Sequence, residues 1–241
     1  MQNRYVGDIG DYVKLAILRC LARDRFLGVA WWLFPDEAHN RDGRHREYLE
    51  RPDEWRRFDS ELFDALLKIN AGERPNVGSI ESAGLFAKAA FASDEIPCSA
   101  KPYALRQAAR LQWLANVTKQ LKDCDLLFID PDNGIAPRGL RKTRRKAGKS
   151  VFIDEIAALR ETKRSILVYH HQSMRRGGHE KEFRHLSDLL KSSGLRVSGV
   201  LRAKPWSPRV FFLIDGEKVL CERAAQIAVK WNGLISWHPV Q

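Results

Sequence analysis

The sequence predicts an α/β fold with a doubly wound, mostly parallel, Rossmann-like (methyltransferase-type) sheet and an antiparallel edge strand. Three observations carry that expectation. Apolar runs of strand length alternate with longer amphipathic stretches over most of the chain, the order that builds βαβ units. Several runs are apolar without alternation, as strands covered on both faces are. The last two runs follow one another closely, which suggests antiparallel pairing at an edge. With 241 residues and no repeat, low-complexity stretch or obvious linker, a single domain over 1–241 is expected, carrying inserted loops at 35–51, 82–102 and 134–150.

Tyr12, Val13, Leu15 to Leu18 and Leu21 recur with helical spacing after Asp11, and LGVAWWLF (Leu27 to Phe34) is the first buried strand. Helices are expected within Pro52 to Asn70, with Trp55, Phe58, Leu62, Phe63, Leu66 and Leu67 inside. Val77 to Ile80 reads as a short strand and Tyr103 to Lys122 as a helix. Asp125 to Asp130 (DLLFID) is the clearest central strand, closed by Pro131, which cannot continue a hydrogen-bond ladder. There follow a helix (Asp154 to Thr162), a strand (Ser165 to Tyr169), a helix (Glu180 to Ser192) and two strands, Val197 to Leu201 and Val210 to Ile214. Trp31, Trp32 and Trp113 are assigned to the core, and Trp206, between Pro205 and Pro208, to the surface.

Composition narrows the function classes. With 44% hydrophobic and 29% charged residues, the chain is neither disordered nor a disulfide miniprotein. Cys20, Cys98, Cys124 and Cys221 lie far apart, without the spacings of a zinc site, and read as free thiols. No apolar run reaches the ~18 to 20 residues that span a bilayer, and no signal-peptide pattern opens the chain, so a soluble cytoplasmic protein without a membrane partner is expected. The 41 Lys and Arg against 30 Asp and Glu give a net charge of +11. That sign suits a polyanion, and nucleic acid, DNA or RNA, is the expected partner.

Open α/β sheets bind ligands beyond the carboxyl ends of their strands, so the polar residues after each apolar run are the candidates for chemistry. After the first strand stand Asp36, Glu37, His39, Asn40, Asp42 and His45, and after the second stands Glu81. Asp130-Pro131-Asp132-Asn133-Gly134 follows the central strand, where a rigid proline projects polar groups from a fixed edge; the same dipeptides also form ordinary turns. His170 and His171 close the next strand, as substrate contacts or proton carriers, or as one ring turned inward and one outward. At the first helix, Gly7, Asp8, Gly10, Asp11 and Lys14 combine a flexible turn with carboxylates and a lysine. That set suits a ligand carboxylate or phosphate, although Asp11 has the alternative role of an N-cap. A basic stretch from Arg138 to Lys149, with Arg141, Lys142, Arg144, Arg145 and Lys146, supplies the charge density that a phosphate backbone calls for. Arg175 and Arg176 extend it; a solvated loop is the alternative.

The order of these features resembles the 23S ribosomal RNA adenine-N6 methyltransferases, whose motifs are G-N-x-A-D-x-x-K near the N-terminus and D-P-P-Y at the central strand. Gly7, Asp8, Gly10, Asp11 and Lys14 match the first with two conservative changes, and Asp130-Pro131 matches the first half of the second. GDIGDY, PDEAHNRDGRH, FIDPDNG and VYHH are similar, more closely, to a group of uncharacterised bacterial proteins. Asp132 and Asn133 stand where the methyltransferases carry a proline and a stacking aromatic, and Pro35 to Asn40 stands where they carry a glycine-rich turn. The resemblance implies S-adenosylmethionine as cofactor and an adenine amino group as target. Lys14 and Asp11 would seat the methionine part and Asp36 or Glu81 the ribose, while Asp130 would accept a hydrogen bond from the target amine and Asn133 would add a second contact.

Two other readings are open on the same residues. Asp130, Asp132 and Asp154 or Glu155 could bind magnesium in a nuclease, with His170 or His171 as base. Alternatively the fold could be a catalytically inactive nucleic-acid-binding module.

Overall fold

A computed structural model describes residues 1–37, 45–72, 74–160, 164–173 and 176–240. Its centre is a seven-stranded sheet built from β1 (Leu27–Ala30), β2 (Ala89–Ala92), β3 (Leu126–Ile129), β6 (Ser165–His171), β7 (Val197–Ala203), β8 (Arg209–Ile214) and β9 (Ile235–Pro239). The order is β2-β1-β3-β6-β8-β7-β9, with the first four strands parallel. A separate two-stranded parallel pair joins β4 (Gly134–Ile135) to β5 (Ser150–Val151) and closes the base of the 134–150 insertion.

Helices cover both faces. Alternate strand residues enter two different cores because successive side chains on a strand point to opposite sides. Leu126, Phe128 and Leu167 join the core formed with α1 (Ile9–Leu21), α3 (Ser60–Asn70) and α8 (Lys218–Lys230). Leu127, Ile129, Ile166 and Val168 join the core formed with α5 (Leu105–Gln120), α6 (Ile153–Ala158) and α7 (Gly178–Ser192). The expected α/β, doubly wound, mostly parallel architecture is therefore present. Trp31, Trp32 and Trp113 are buried and Trp206 is exposed, as their contexts suggested, and the thiols of Cys20, Cys98, Cys124 and Cys221 are free.

Four local readings change. Val77–Glu81 is a helix, α4, because Asn76 caps it by accepting the Ser79 N–H at 3.2 Å; it is not a strand. The strand beside β1 is instead Ala89–Ala92, within the 82–102 stretch expected to be a loop, where an alanine-rich run carries little strand signal. β8 is antiparallel but interior, between β6 and β7; the antiparallel edge strand is β9, which lies with α8 beyond the last strand read from the sequence. Finally, α1 starts one turn earlier than its apolar spacing indicates, with Asp8 rather than Asp11 as N-cap: its carboxylate accepts the Asp11 N–H at 2.9 Å. The helices within 52–70 divide into α2 (Pro52–Trp55) and α3, separated by the α3 cap Asp59.

From β1 the chain moves to β2 on one side, then returns to place β3 on the other, with β6 beyond it. The winding direction therefore reverses between β1 and β3, the position where an open sheet leaves a crevice at its carboxyl edge.

Candidate functional site

A cavity of about 370 Å³ lies at that crevice. Its floor is an ion network linking α1 to the tip of β3. Lys14 Nζ, on the second turn of α1, donates to Asp11 Oδ1 at 2.8 Å and to Asp130 Oδ2 at 2.7 Å. All three residues are at most 5% exposed. Burial alone penalises the Lys14 charge, but Asp11 and Asp130 outweigh it and hold the ammonium above its usual value. Burial pushes the Asp130 carboxyl up against the opposing pull of Lys14. Asp11 also accepts the Gly7 N–H at 3.0 Å, so the turn before α1 is bound into the same unit.

The wall on the β1 side is a second ionic group. Asp132 accepts from Gln2 Nε2 at 2.7 Å and from Lys149 Nζ at 3.1 Å, and Lys149 also pairs with Glu37. Burial would raise the Asp132 carboxyl, but the Met1 ammonium, Lys149 and Gln2 outweigh it and hold it below its usual value. The opposite wall comes from β6 and β8. Tyr169 lies 5.7 Å from Lys14 Nζ across its ring, and its hydroxyl is hydrogen-bonded to His171 Nδ1 at 3.2 Å. Arg209, the first residue of β8, is 6% exposed; its Nε is buried without a partner. Gly10 allows the Arg209 guanidinium to approach α1, since a Cβ there would lie 3.1 Å from Arg209 Nη2 and 2.9 Å from Asp8 Oδ1. Burial and the neighbouring Asp11 push the Asp8 carboxyl up to about 6.

Of the residues singled out in the sequence, Asp8, Gly10, Asp11, Lys14, Glu37, His45, Asp130, Pro131, Asp132, Asn133 and His171 line this cavity. Others are placed elsewhere. Gly7 takes a left-handed conformation (φ 78°) before α1, with the Asn70 amide bonded to its carbonyl at 3.3 Å. Asp36 is exposed and accepts the Arg4 N–H at 3.2 Å; its neighbour Glu37 lines the cavity instead. Glu81 lies on α4 and accepts from Trp31 Nε1 at 2.7 Å and Ser93 Oγ at 2.5 Å, outside the cavity. His170 turns inward and His171 outward. The His170 Nδ1 accepts the Ile135 N–H at 3.0 Å, and its Nε2 lies 3.7 Å from Glu182. His39, Asn40, Asp42 and Arg175 lie outside the described residues.

The proposed magnesium set is divided. Glu155 forms a two-point pair with Arg110 (2.5 and 2.8 Å) at the base of the 134–150 insertion, while Asp154 is paired with Lys142 at 2.5 Å. Neither lines the cavity, and both Asp130 and Asp132 are already neutralised by lysines. Among the described residues, no group of three or more His, Cys, Asp or Glu side chains is arranged to hold a metal ion.

Two features organise the surroundings. After β1 the chain turns at Trp32, whose left-handed backbone (φ 49°) is the conformation glycine adopts most freely. The indole is buried in the core beside α5, donating to the Ser150 carbonyl at 3.1 Å and meeting Trp113 edge-on at 4.6 Å. The basic insertion is tied down: Arg110 donates to the carbonyls of Ala147 (2.8 Å) and Ser150 (2.7 Å), which leaves Arg138, Arg141, Arg144, Arg145 and Lys146 at the surface. Lys142 is instead partly buried against Asp154 and Glu155, and Arg176 is exposed before α7.

The lining residues missed in the sequence are Met1, Arg4, Tyr5, Tyr169, Ser207 and Arg209, and Lys149 was read only as the end of the basic stretch. Arg209 shows the reason. An antiparallel strand brings its first residue, not its last, to the edge where parallel strands end, so a search confined to the residues after each apolar run passes over it. Comparison with protein families, with curated proteins and with solved structures finds no match for this chain. No helix among the described residues is long and apolar enough to cross a membrane.

Proposed function

We propose that this chain is an S-adenosylmethionine-dependent methyltransferase-like protein acting on nucleic acid, with an adenine amino group as target by resemblance. The observation that carries the reading is the position and content of the cavity: it lies where the winding reverses between β1 and β3, and it joins the N-terminal Gly-Asp-Lys motif to Asp130 in one buried network. The donor set suits the amino-acid end of the cofactor. Arg209 offers an unpartnered buried N–H beside the glycine-lined start of α1, while Asp8 and Asp11 offer acceptors for an ammonium. Glu37, which is paired with Lys149, lines the cavity where Asp36 and Glu81 do not, and is the acid assigned here to the ribose hydroxyls.

The bound cofactor supplies a methyl group that is already activated by its sulfonium. The contribution of this chain is then positioning. Lys14 and Asp130 hold each other in fixed orientation at the floor, Asp130 and Asn133 present oxygens to a target amine, and the surface arginines of the 134–150 insertion bind the phosphate backbone. The test is isothermal titration with S-adenosylmethionine, with and without magnesium, followed by transfer of labelled methyl groups to RNA and DNA. Metal-independent binding that falls at least tenfold in Glu37→Gln is the expected result. Absence of binding to the intact chain overturns the reading.

A further inference from the structure

One large aromatic side chain is fixed next to the lining of this cavity and left half exposed. Trp206 lies in the turn between β7 and β8 and is 48% exposed, whereas Trp31, Trp32, Trp55, Trp113 and Trp231 are buried. Its backbone is left-handed (φ 62°), a conformation disfavoured for any residue with a Cβ and retained only where the surroundings enforce it. The enforcement comes from the cavity itself. Arg209 donates to the Pro205 carbonyl at 3.1 Å and to Ser207 Oγ at 2.9 Å, and the Ser207 N–H bonds the Pro205 carbonyl at 2.8 Å. Pro205 and Pro208 restrict the turn further. The indole stands 5.8 Å from the ring of His45, and both His45 and Ser207 line the cavity.

A strained turn that leaves about half of an indole in water gains little from the arrangement by itself. The same arrangement gives a ligand a rigid π-face. We propose that Trp206, with His45 beside it, is the stacking platform for a nucleobase of the nucleic-acid substrate at the cavity mouth; this rests on the functional reading above. Asp132 and Asn133, after the Asp-Pro pair, offer no ring for that purpose, and Trp206 supplies one from the opposite wall. The surface cations of the 134–150 insertion, continuous with the cavity through Lys149, would hold the flanking phosphates.

The experiment uses the full chain and a short single-stranded oligonucleotide containing 2-aminopurine, prepared as RNA and as DNA. The wild type, Trp206→Phe and Trp206→Ala are titrated with each, reading 2-aminopurine emission and anisotropy, and separately with S-adenosylmethionine. Wild type and Trp206→Phe are expected to quench the reporter base. Trp206→Ala is expected to lose the quenching and between about fivefold and a hundredfold in oligonucleotide affinity, with cofactor affinity unchanged. Quenching and affinity in Trp206→Ala equal to the wild type overturn the platform while leaving the methyltransferase reading intact. A wild type that binds cofactor but neither oligonucleotide also overturns it. A chain that binds oligonucleotide with the expected Trp206 dependence but no cofactor upholds the stacking contact and removes the methyltransferase reading.

Discussion

Replacing Lys14 with methionine tests the floor of the cavity. The side chain is similar in length and leaves little void, so the loss is almost wholly that of the ammonium between Asp11 (2.8 Å) and Asp130 (2.7 Å). Both carboxylates are 1% exposed and would remain buried. Removing one partner of a buried ion pair costs about 3–5 kcal/mol, because the remaining charge has neither water nor partner. For a chain of this length that corresponds to a drop in Tm on the order of 10 °C. The pH dependence has a definite sign. Burial already holds the Asp130 carboxyl above its usual range, and without Lys14 the opposing pull disappears. A carboxyl raised in the folded state contributes most below its unfolded value and loses that contribution as pH rises through the folded value, so the deficit of the variant grows from acid to neutral pH. Urea unfolding at about pH 5 and about pH 8, with the slope m compared, measures this. A loss below about 1 kcal/mol, or one equal at both pH values, would refute the argument. Adding Asp130→Asn to Lys14→Met should recover part of the loss at the higher pH, since it removes the stranded charge.

Three further outcomes rest on the same geometry. Asp8→Asn keeps an N-cap for α1 but removes a buried carboxyl whose value lies near 6. The wild type loses the Asp8 contribution as pH rises through about 6, and the variant should be more stable than the wild type at pH 7.5 by roughly 1–3 kcal/mol and nearly equal at pH 4, as read by denaturant unfolding. Arg110→Met unties the basic insertion from Glu155, Ala147 and Ser150, at a cost of about 3–5 kcal/mol. Trypsin should then cut between Arg141 and Lys149 faster than in the wild type, and an unchanged cleavage rate would show that the insertion is held by other contacts. Neutralising Arg138, Arg141, Arg144, Arg145 and Lys146 should weaken nucleic-acid binding and lower its log-log salt slope by roughly 0.7–0.9 for each phosphate no longer neutralised. An unchanged slope would remove this surface from the interface.

The strands buried on both faces were the most legible part of the chain. LGVA, LLFI and the start of SILVYHH carry their position in their composition, because a strand between two helical layers can hold almost nothing polar. AAFA at the sheet edge has no such constraint, since its pairing with β1 is made by the backbone while alanine favours helix over strand. Val77–Glu81 misled for a related reason. A short apolar run is ambiguous by periodicity, and the decision lay in the Asn76 cap before it. At the site, the motif residues on α1 and β3 were visible because glycine, acid and lysine cluster in sequence. The places of Lys149 and Arg209 in the cavity were not, because they depend on the β4–β5 pairing and on the antiparallel direction of β8.

The ion network also explains why two motifs so far apart in the chain occur together. Asp130 ends a strand buried on both faces, and a lone carboxylate there would be strongly destabilising. It needs a cation at hydrogen-bond distance, and β1 and β6, its neighbours in the sheet, provide none. Lys14 meets that need across 116 residues. Lys14 in turn carries Asp11, which accepts the N–H of Gly7 and so fixes the turn that leads into α1. The Gly-Asp-Lys and Asp-Pro motifs are therefore one charge-balanced unit, and altering either strands charge in the other. Such a unit holds the tip of β3 and the start of α1 in constant relation, whatever occupies the space between them and Arg209.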